Sequence, residues 1–329
     1  MNEKKSAPKP VSPHELSRGE MKASMVLPVV ISVGVMLLGM VVYLLIPDDF
    51  NTGLAIALSF CMLAFLLYWT RQETLKLRVT AVLLAIPALV GISYGMSNGR
   101  ANPIIFGVGV TILLLIGYRL VSTPISYRFA YRRYLSGEYE AALTLVEKTT
   151  AARPDFWEAY QLKALIFLEL MDFPRAERSA IEATDANPRA DIAFNTLGQI
   201  HLLQAQFEAA KQAYIHCVEL NPDNALYWYH LGLCQYRLAE YDAAVESLAA
   251  ASKRSPRILE YELLQHYYMW RCLQQLNREE LAAEVLTKMQ KFTPGLTILQ
   301  TEIEHQPQTA HLPLMQADLD QLAKIISSD

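Results

Sequence analysis

The sequence predicts an all-α protein, in which a bundle of four transmembrane helices precedes an α-solenoid of helix–turn–helix repeats. Two observations lead to this fold class. A period of 34 residues runs from Ala130 to Pro256, and four long apolar runs occupy the first third. The chain of 329 residues is 52% hydrophobic and only 19% charged, which is more apolar than a typical globular domain.

The period is marked by four series of similar residues. Each series advances in steps of 34: Pro154, Pro188, Pro222 and Pro256; Ala142, Ala176, Ala210 and Ala244; Tyr139, Phe173, Phe207 and Tyr241; Ala130, Ala164, Gly198 and Gly232. A fixed period of this length indicates stacked supersecondary units, and 34 residues is typical of a helix–turn–helix repeat. Two antiparallel helices pack closely where one side is small. Proline ends the second helix because it cannot continue it.

The third and fourth units show the pattern most clearly. The fourth has Trp228-x-x-Leu231-Gly232, Tyr241-x-x-Ala244 and Pro256, and the third has Phe194, Leu197, Gly198, Phe207, Ala210 and Pro222. This pattern closely resembles the tetratricopeptide repeat, and the resemblance covers about Thr123 to Pro294. In the fifth unit, Ala282 and Pro294 follow Ala244 and Pro256 by 38 residues. We therefore expect its first helix, from about Leu259 to Gln275, to be about one turn longer.

In the tetratricopeptide family, the first helix of each repeat lines a concave groove that holds a peptide or a partner helix. The resemblance therefore implies a partner-binding groove formed by Tyr127, Tyr131, Leu162, Leu165, Asn195, Gln199, Tyr229, His230, Leu233, Tyr236 and Arg237. Asparagine can hold an extended backbone through its donor and acceptor, and Tyr and Arg are frequent binding hot spots. The alternative is that some of these side chains pack against a neighbouring helix.

The apolar runs predict the membrane part. They cover residues 23–46, 52–69, 79–96 and 103–121, and a membrane-spanning helix needs about 20 apolar residues. We therefore expect a disordered cytoplasmic tail over 1–22, four spans within 23–121, the solenoid over 123–294 and a C-terminal tail with a capping helix over 295–329. Lys and Arg are frequent in alternate connections, which puts both termini and the repeats in the cytoplasm. The expected location is a bacterial-type cell membrane.

Two segments next to the repeats have their own expectations. Arg128, Arg132 and Arg133 crowd the helix after the fourth span, and they predict either contact with anionic lipid or an interfacial helix with snorkelling side chains. In the tail, Leu312, Met315, Leu319, Leu322 and Ile326 recur at helical spacing, and Asp318, Asp320 and Lys324 fit a solvated opposite face. We expect this amphipathic helix to cap the last repeat, and folding back into the groove is the alternative.

The sequence favours a binding protein over an enzyme. Its seven histidines show no metal-ligand spacing, no glycine-rich phosphate loop precedes a helix, and a net charge of −4 does not favour nucleic acid. No cofactor is expected. The predicted function is a membrane-anchored scaffold that binds protein partners and recruits or assembles a membrane complex. The alternative is a regulatory subunit of a membrane transport or channel assembly. The near absence of ionisable residues from the apolar runs favours the scaffold.

Overall fold

A computed structural model describes residues 75–98, 100–254 and 258–328, and every regular element in these ranges is helical. The α-helices are α1 (Leu75–Leu84), α2 (Ile86–Asn98), α3 (Ala101–Ser122), α4 (Ile125–Leu135), α5 (Tyr139–Ala152), α6 (Trp157–Glu169), α7 (Phe173–Ala186), α8 (Asp191–Leu203), α9 (Phe207–Leu220), α10 (Ala225–Arg237), α11 (Tyr241–Arg254), α12 (Leu259–Gln275), α13 (Glu279–Met289), α14 (Gly295–Glu304) and α15 (Leu312–Ser328). A short 3-10 helix, Gln290–Phe292, follows α13.

The chain divides into two compact units. The N-terminal unit contains Gly19–Ala159 and Asn187–Ala190, and the repeat unit contains Tyr160–Ala186 and Asp191–Asp329. The division falls within α6. The domain limits expected from the sequence stay a prediction.

The third apolar run is interrupted in the N-terminal unit. α1 ends at Leu84 and α2 begins at Ile86, with a turn at Ala85. The cause is Pro87, because proline has no N–H to donate and its ring clashes with the carbonyl four residues earlier. Helices of 10 and 13 residues rise about 15–20 Å at about 1.5 Å per residue. A bilayer core is about 30 Å thick, so neither helix is long enough to cross it.

The predicted transmembrane bundle is wrong. Within residues 75–98, 100–254 and 258–328, no helix is both long enough and apolar enough to cross a membrane. The apolar runs 23–46 and 52–69, like the predicted tail over 1–22, lie outside the described residues. The multi-pass localisation, with the termini and the repeats in the cytoplasm of a bacterial-type cell, depended on the four spans and is wrong with them.

Helices α2 and α3 pack closely because both present glycine at their contact. A Cβ added at Gly91 would lie 3.1 Å from the Cα of Gly107. Nearby, the Ala88 N–H donates a hydrogen bond of 2.9 Å to Thr111 Oγ1, which satisfies a buried donor at the start of α2. Other apolar side chains of these helices remain exposed, with exposed fractions of 61% at Val90, 60% at Tyr94, 75% at Phe106 and 65% at Leu113.

The arginines of α4 have partners within the N-terminal unit. Arg133 forms an ion pair with Glu138 at the turn after α4, and the Arg132 guanidinium lies 5.7 Å from the ring centre of Phe129. The predicted lipid contact of Arg128, Arg132 and Arg133 is therefore not supported.

Every turn between the two helices of a repeat has the same backbone. Positive φ angles occur at Gly137, Met171, Ala205, Ala239 and Asn277, which lie 34 residues apart except for the last step of 38. Each turn is closed by a Schellman hydrogen bond, such as Gln206 N–H to His201 C=O at 2.9 Å and Glu240 N–H to Gln235 C=O at 2.9 Å. The period of the sequence is thus also a period of the backbone.

The predicted close packing within repeats is confirmed at both glycines of the series. A Cβ at Gly198 would lie 2.9 Å from the ring of Tyr214, and a Cβ at Gly232 would lie 2.7 Å from Leu248 Cγ. The longer helix of the fifth repeat is also confirmed, because α12 has 17 residues whereas α10 has 13. After α13, α14 packs on the start of α12, where Gly295 fits against the Leu259 backbone.

Candidate functional site

The last helix, α15, lies against the first helices of three successive repeats. The His311 N–H, just before α15, donates to Leu203 C=O at the end of α8, at 3.2 Å. Farther along, Asp318 pairs with Arg237 at the end of α10. The Tyr267 hydroxyl on α12 donates to Gln321 Oε1 at 3.2 Å. We call the surface of α8, α10 and α12 beneath α15 the groove. The tail helix thus lies in the groove, which was one of the two placements expected for it, and its role as a cap of the last repeat stays a prediction.

The polar centre of the groove is a buried ion pair. The side chains of Arg237 and Asp318 are only 10% and 8% exposed, and the Tyr268 hydroxyl donates to Asp318 Oδ2 at 2.9 Å. Burial raises the pKa of Asp318, while the positive charge of Arg237 and the Tyr268 hydrogen bond oppose that rise. The guanidinium also lies 5.5 Å from the ring centre of Tyr236 and 5.8 Å from that of Tyr268. This is a charge-assisted contact enclosed by aromatic rings.

The apolar side of α15 fills the rest of the groove. Leu319 and Leu322 are 5% and 0% exposed within the main core of the repeat unit, whereas Asp320 and Lys324 are exposed. The predicted amphipathic helix is confirmed, but the prediction that Asp318 lies on its solvated face is wrong. Asp318 is four residues before Leu322, and this spacing places both on one face of a helix.

A cavity of about 70 Å³ remains between α15 and the groove. Its lining includes Gln199, Tyr229, His230, Leu233, His311 and Met315. The ring of His230 stacks on that of Tyr214, with centres 4.9 Å apart. Within the described residues, neither ring nitrogen of His230 has a hydrogen-bond partner, and the same holds for Nε2 of His311. The cavity therefore combines apolar walls with imidazole nitrogens that can still bind a donor or an acceptor.

Both histidines are neutral at pH 7. Burial, and to a smaller extent the nearby His311, lowers the pKa of His230 to about 3. Burial, and then the charge of Arg237, lowers the pKa of His311 to about 4. A neutral imidazole offers one donor and one acceptor. In the described ranges, no three His, Cys, Asp or Glu side chains come together as metal ligands.

The structure places the predicted groove residues in different surroundings. Asn195, Gln199, Tyr229, His230, Leu233, Tyr236 and Arg237 lie on α8 and α10 in the repeat unit. Most of these are buried, and only Tyr236 and Arg237 keep some exposure. Leu162 and Leu165 are fully buried core residues of α6. Tyr127 and Tyr131 belong to the N-terminal unit, where Tyr127 packs edge-on against Phe156. That these residues bind a partner stays a prediction.

Sequence reasoning did not assign three residues of this site: Asp318, Tyr268 and His311. The available signal was the position of Asp318, three residues after Met315 and four before Leu322 in the apolar series. An acidic residue at such a register needs a buried cation. No local signal pointed to Arg237 as that cation, because the two residues are separated by 81 positions.

The helix pairs, their common turn and the occupied groove together define a helical-repeat protein of the class that mediates protein–protein interactions. The model of the tetratricopeptide repeat family matches residues 162–214 and 195–257. This part of the chain therefore consists of tetratricopeptide repeats, as the resemblance implied.

Three known proteins are similar to parts of the chain. BBSome complex member BBS4 of Bos taurus is 28% identical over 115 residues, which are 35% of this chain and 22% of BBS4, so the chain spans about a fifth of that relative. A structure of MamA from Desulfovibrio magneticus RS-1 is 19% identical, with a TM-score of 0.46 over 52% of this chain and 94% of MamA. The structure of YrrB, a TPR protein with an unusual peptide-binding site, is 20% identical, with a TM-score of 0.47 over 53% of this chain and 87% of YrrB.

Proposed function

We propose that this protein is a scaffold that binds another protein in the groove and thereby brings it into an assembly. The observation that carries the proposal is the docking of α15, because a helix already occupies this surface through a buried ion pair and apolar contacts. A surface that holds one amphipathic helix has the shape and chemistry to hold another.

The residue types of the groove support the proposal. Tyr229, Tyr236, Arg237 and Tyr268 lie close together, with the Tyr236 and Tyr268 ring centres 5.0 Å apart. Binding energy in protein interfaces is concentrated in a few residues, and Tyr and Arg are prominent among them. A role in assembly is supported by the similarity to BBS4, which is a member of the BBSome complex.

The proposal is tested by site-specific photo-crosslinking in the cells from which the chain comes. The crosslinking residue replaces Tyr261, which is half-buried and lines the cavity. In a matched control it replaces Glu246, which is exposed on α11, the second helix of the fourth repeat. We expect adducts of discrete mass with the Tyr261 variant and none with the Glu246 variant. Adducts only at Glu246 would place binding on the second helices and overturn the proposal.

A further inference from the structure

We propose that α15 is a tethered substitute for the partner, and that the partner is an amphipathic α-helix with a carboxylate on its apolar face that displaces α15 from the groove. This inference rests on the proposed function and specifies the chemistry of the partner.

The attachment of α15 allows it to leave. Residues 305–311, which join α14 to α15, are outside any helix and are mostly exposed. Among the described residues, this connection makes one backbone hydrogen bond to the repeats, from the His311 N–H to Leu203 C=O. The five helix pairs close their own turns without α15. Release of α15 therefore exposes the groove without breaking the hydrogen bonds within the repeats.

The fit of α15 in the groove is incomplete. Asp318 reaches only Nη2 of Arg237, and Arg237 Nε has no hydrogen-bond partner within the described residues although it is buried. A carboxylate that bridges Nε and Nη2 makes the stronger bidentate contact, and a glutamate, which is one methylene longer, has the reach for it. The cavity beside His230 also stays unfilled. A partner helix can therefore gain contacts that α15 lacks, and this is the basis for displacement.

The buried Arg237 selects a partner helix that carries a carboxylate at the matching position. The positive charge of Arg271 on α12 also acts on Tyr236 and Asp318, while Glu260 and Glu302 line the cavity nearby. A partner helix without a carboxylate would leave the buried Arg237 uncompensated, and that is costly. The apolar positions of α15 specify the remaining pattern. The carboxylate must be followed at the next position and four positions on by large aliphatic side chains, as Asp318 is followed by Leu319 and Leu322.

The test uses the purified full chain and, as a probe, a fluorescent peptide of residues 309–329 of this same chain, with binding followed by anisotropy. In the wild-type chain, α15 competes with the peptide at the millimolar effective concentrations of a short tether, so binding is weak. Asp318→Arg places two cations together and releases α15 while leaving the groove unchanged. We expect this variant to bind the peptide at least about tenfold more tightly than the wild-type chain does.

Two further variants distinguish release of α15 from damage to the fold. Asp320→Arg makes the same change on the exposed side of α15, and it should bind the peptide as weakly as the wild-type chain does. Arg237→Asp combined with Asp318→Arg restores the ion pair in reverse, so it should hold α15. A peptide that carries Asp318→Arg, which matches the reversed groove, should therefore bind this variant as weakly as the unchanged peptide binds the wild-type chain. A peptide that carries Asp318→Ala should lose its affinity for the Asp318→Arg chain.

Three results would overturn the inference. The first is equal peptide binding by the wild-type and Asp318→Arg chains, with circular dichroism showing both folded. The second is unchanged affinity of the Asp318→Ala peptide. The third is a wild-type dimer that exchanges α15, detected by light scattering, because the occupant would then be a second copy of this chain. Adducts at Tyr261 together with the first result would support the proposed function. They would overturn only the inference that α15 occupies the place of the partner.

Discussion

Acidification is expected to loosen the groove, because His230 and His311 are buried as neutral rings. Their pKa values fall from 6.5 in the unfolded chain to about 3 and about 4 in the folded chain. A depressed histidine pKa contributes stability that is complete above pH 6.5 and is lost as the pH falls toward the folded value. At pH 5, the unfolded chain binds a proton at each histidine and the folded chain does not. The loss between pH 7.5 and pH 5 is about 2 kcal/mol for each histidine.

Other groups facing the cavity affect the size of this loss. Glu260 and Glu302 line it, and Arg237 lies close enough to lower the pKa of His311. Asp318 acts with the opposite sign, because burial raises its pKa above 3.8 and its contribution is lost as the pH rises.

The assay is urea unfolding at pH 7.5 and pH 5, followed by circular dichroism. The wild-type chain should lose about 4 kcal/mol of unfolding free energy, and His311→Gln should lose only about 2 kcal/mol because one titrating ring is gone. His216→Gln is the matched control, because His216 is 55% exposed, and it should behave as the wild-type chain does. Equal wild-type stability at both pH values, or an unchanged pH dependence in His311→Gln, would refute the reasoning.

Three further predictions concern the repeats, and each is measured as a change in the free energy of unfolding in urea at pH 7.5. Gly232→Ala should lower it by about 1–2 kcal/mol, because the new Cβ would lie 2.7 Å from Leu248 Cγ and overcrowding outweighs the gain in helix propensity. Ala239→Gly should raise it by about 0.5–1 kcal/mol, because Ala239 has a φ of 61° that glycine adopts without strain. Tyr227→Phe should lower it by about 1 kcal/mol through loss of the 3.2 Å hydrogen bond to buried Asp191.

Matched variants check two of these results. Gly109→Ala places a Cβ where nothing lies within 4 Å, so it should not destabilise the chain. Ala243→Gly lies inside α11 and should cost about 1 kcal/mol, opposite in sign to Ala239→Gly. A stable Gly232→Ala protein would show that the helices of the fourth repeat can separate slightly at no cost. Tyr227→Phe at wild-type stability would mean that Asp191 is satisfied without that hydroxyl.

The repeats could be predicted from the sequence because their determinants are local and recur. Gly198 and Gly232 lie where the two helices of a repeat touch. Each helix pair requires a small residue at this contact, so small residues recur every 34 positions. The longer α12 could be predicted for the same reason, since the register of Ala282 and Pro294 records the added turn. The left-handed turn residues were harder to find. Ala205 and Ala239 have no intrinsic preference for positive φ, and the packing of the helix pair imposes it.

Apolar composition alone did not correctly predict the helices of the N-terminal unit. A run such as 79–96 meets the length and apolarity of a span in the sequence, yet Pro87 divides it into α1 and α2. Hydropathy records the transfer energy of side chains, whereas the length of a helix also depends on where its backbone hydrogen bonds stop.

The sequence by itself determined the helix pairs, their number and the amphipathic character of the last helix, because each follows from spacings of a few residues. The tertiary structure alone decided what that helix covers. Asp318 and Arg237 are separated by 81 positions. From the sequence alone, an acidic residue beside an apolar stripe is compatible both with a solvated helix edge and with a buried ion pair, because its partner is unknown. The groove became a site with an occupant only when the fold brought α15 across α8, α10 and α12. The reason is that either charge alone would be costly to bury, and that cost is offset only when the two meet.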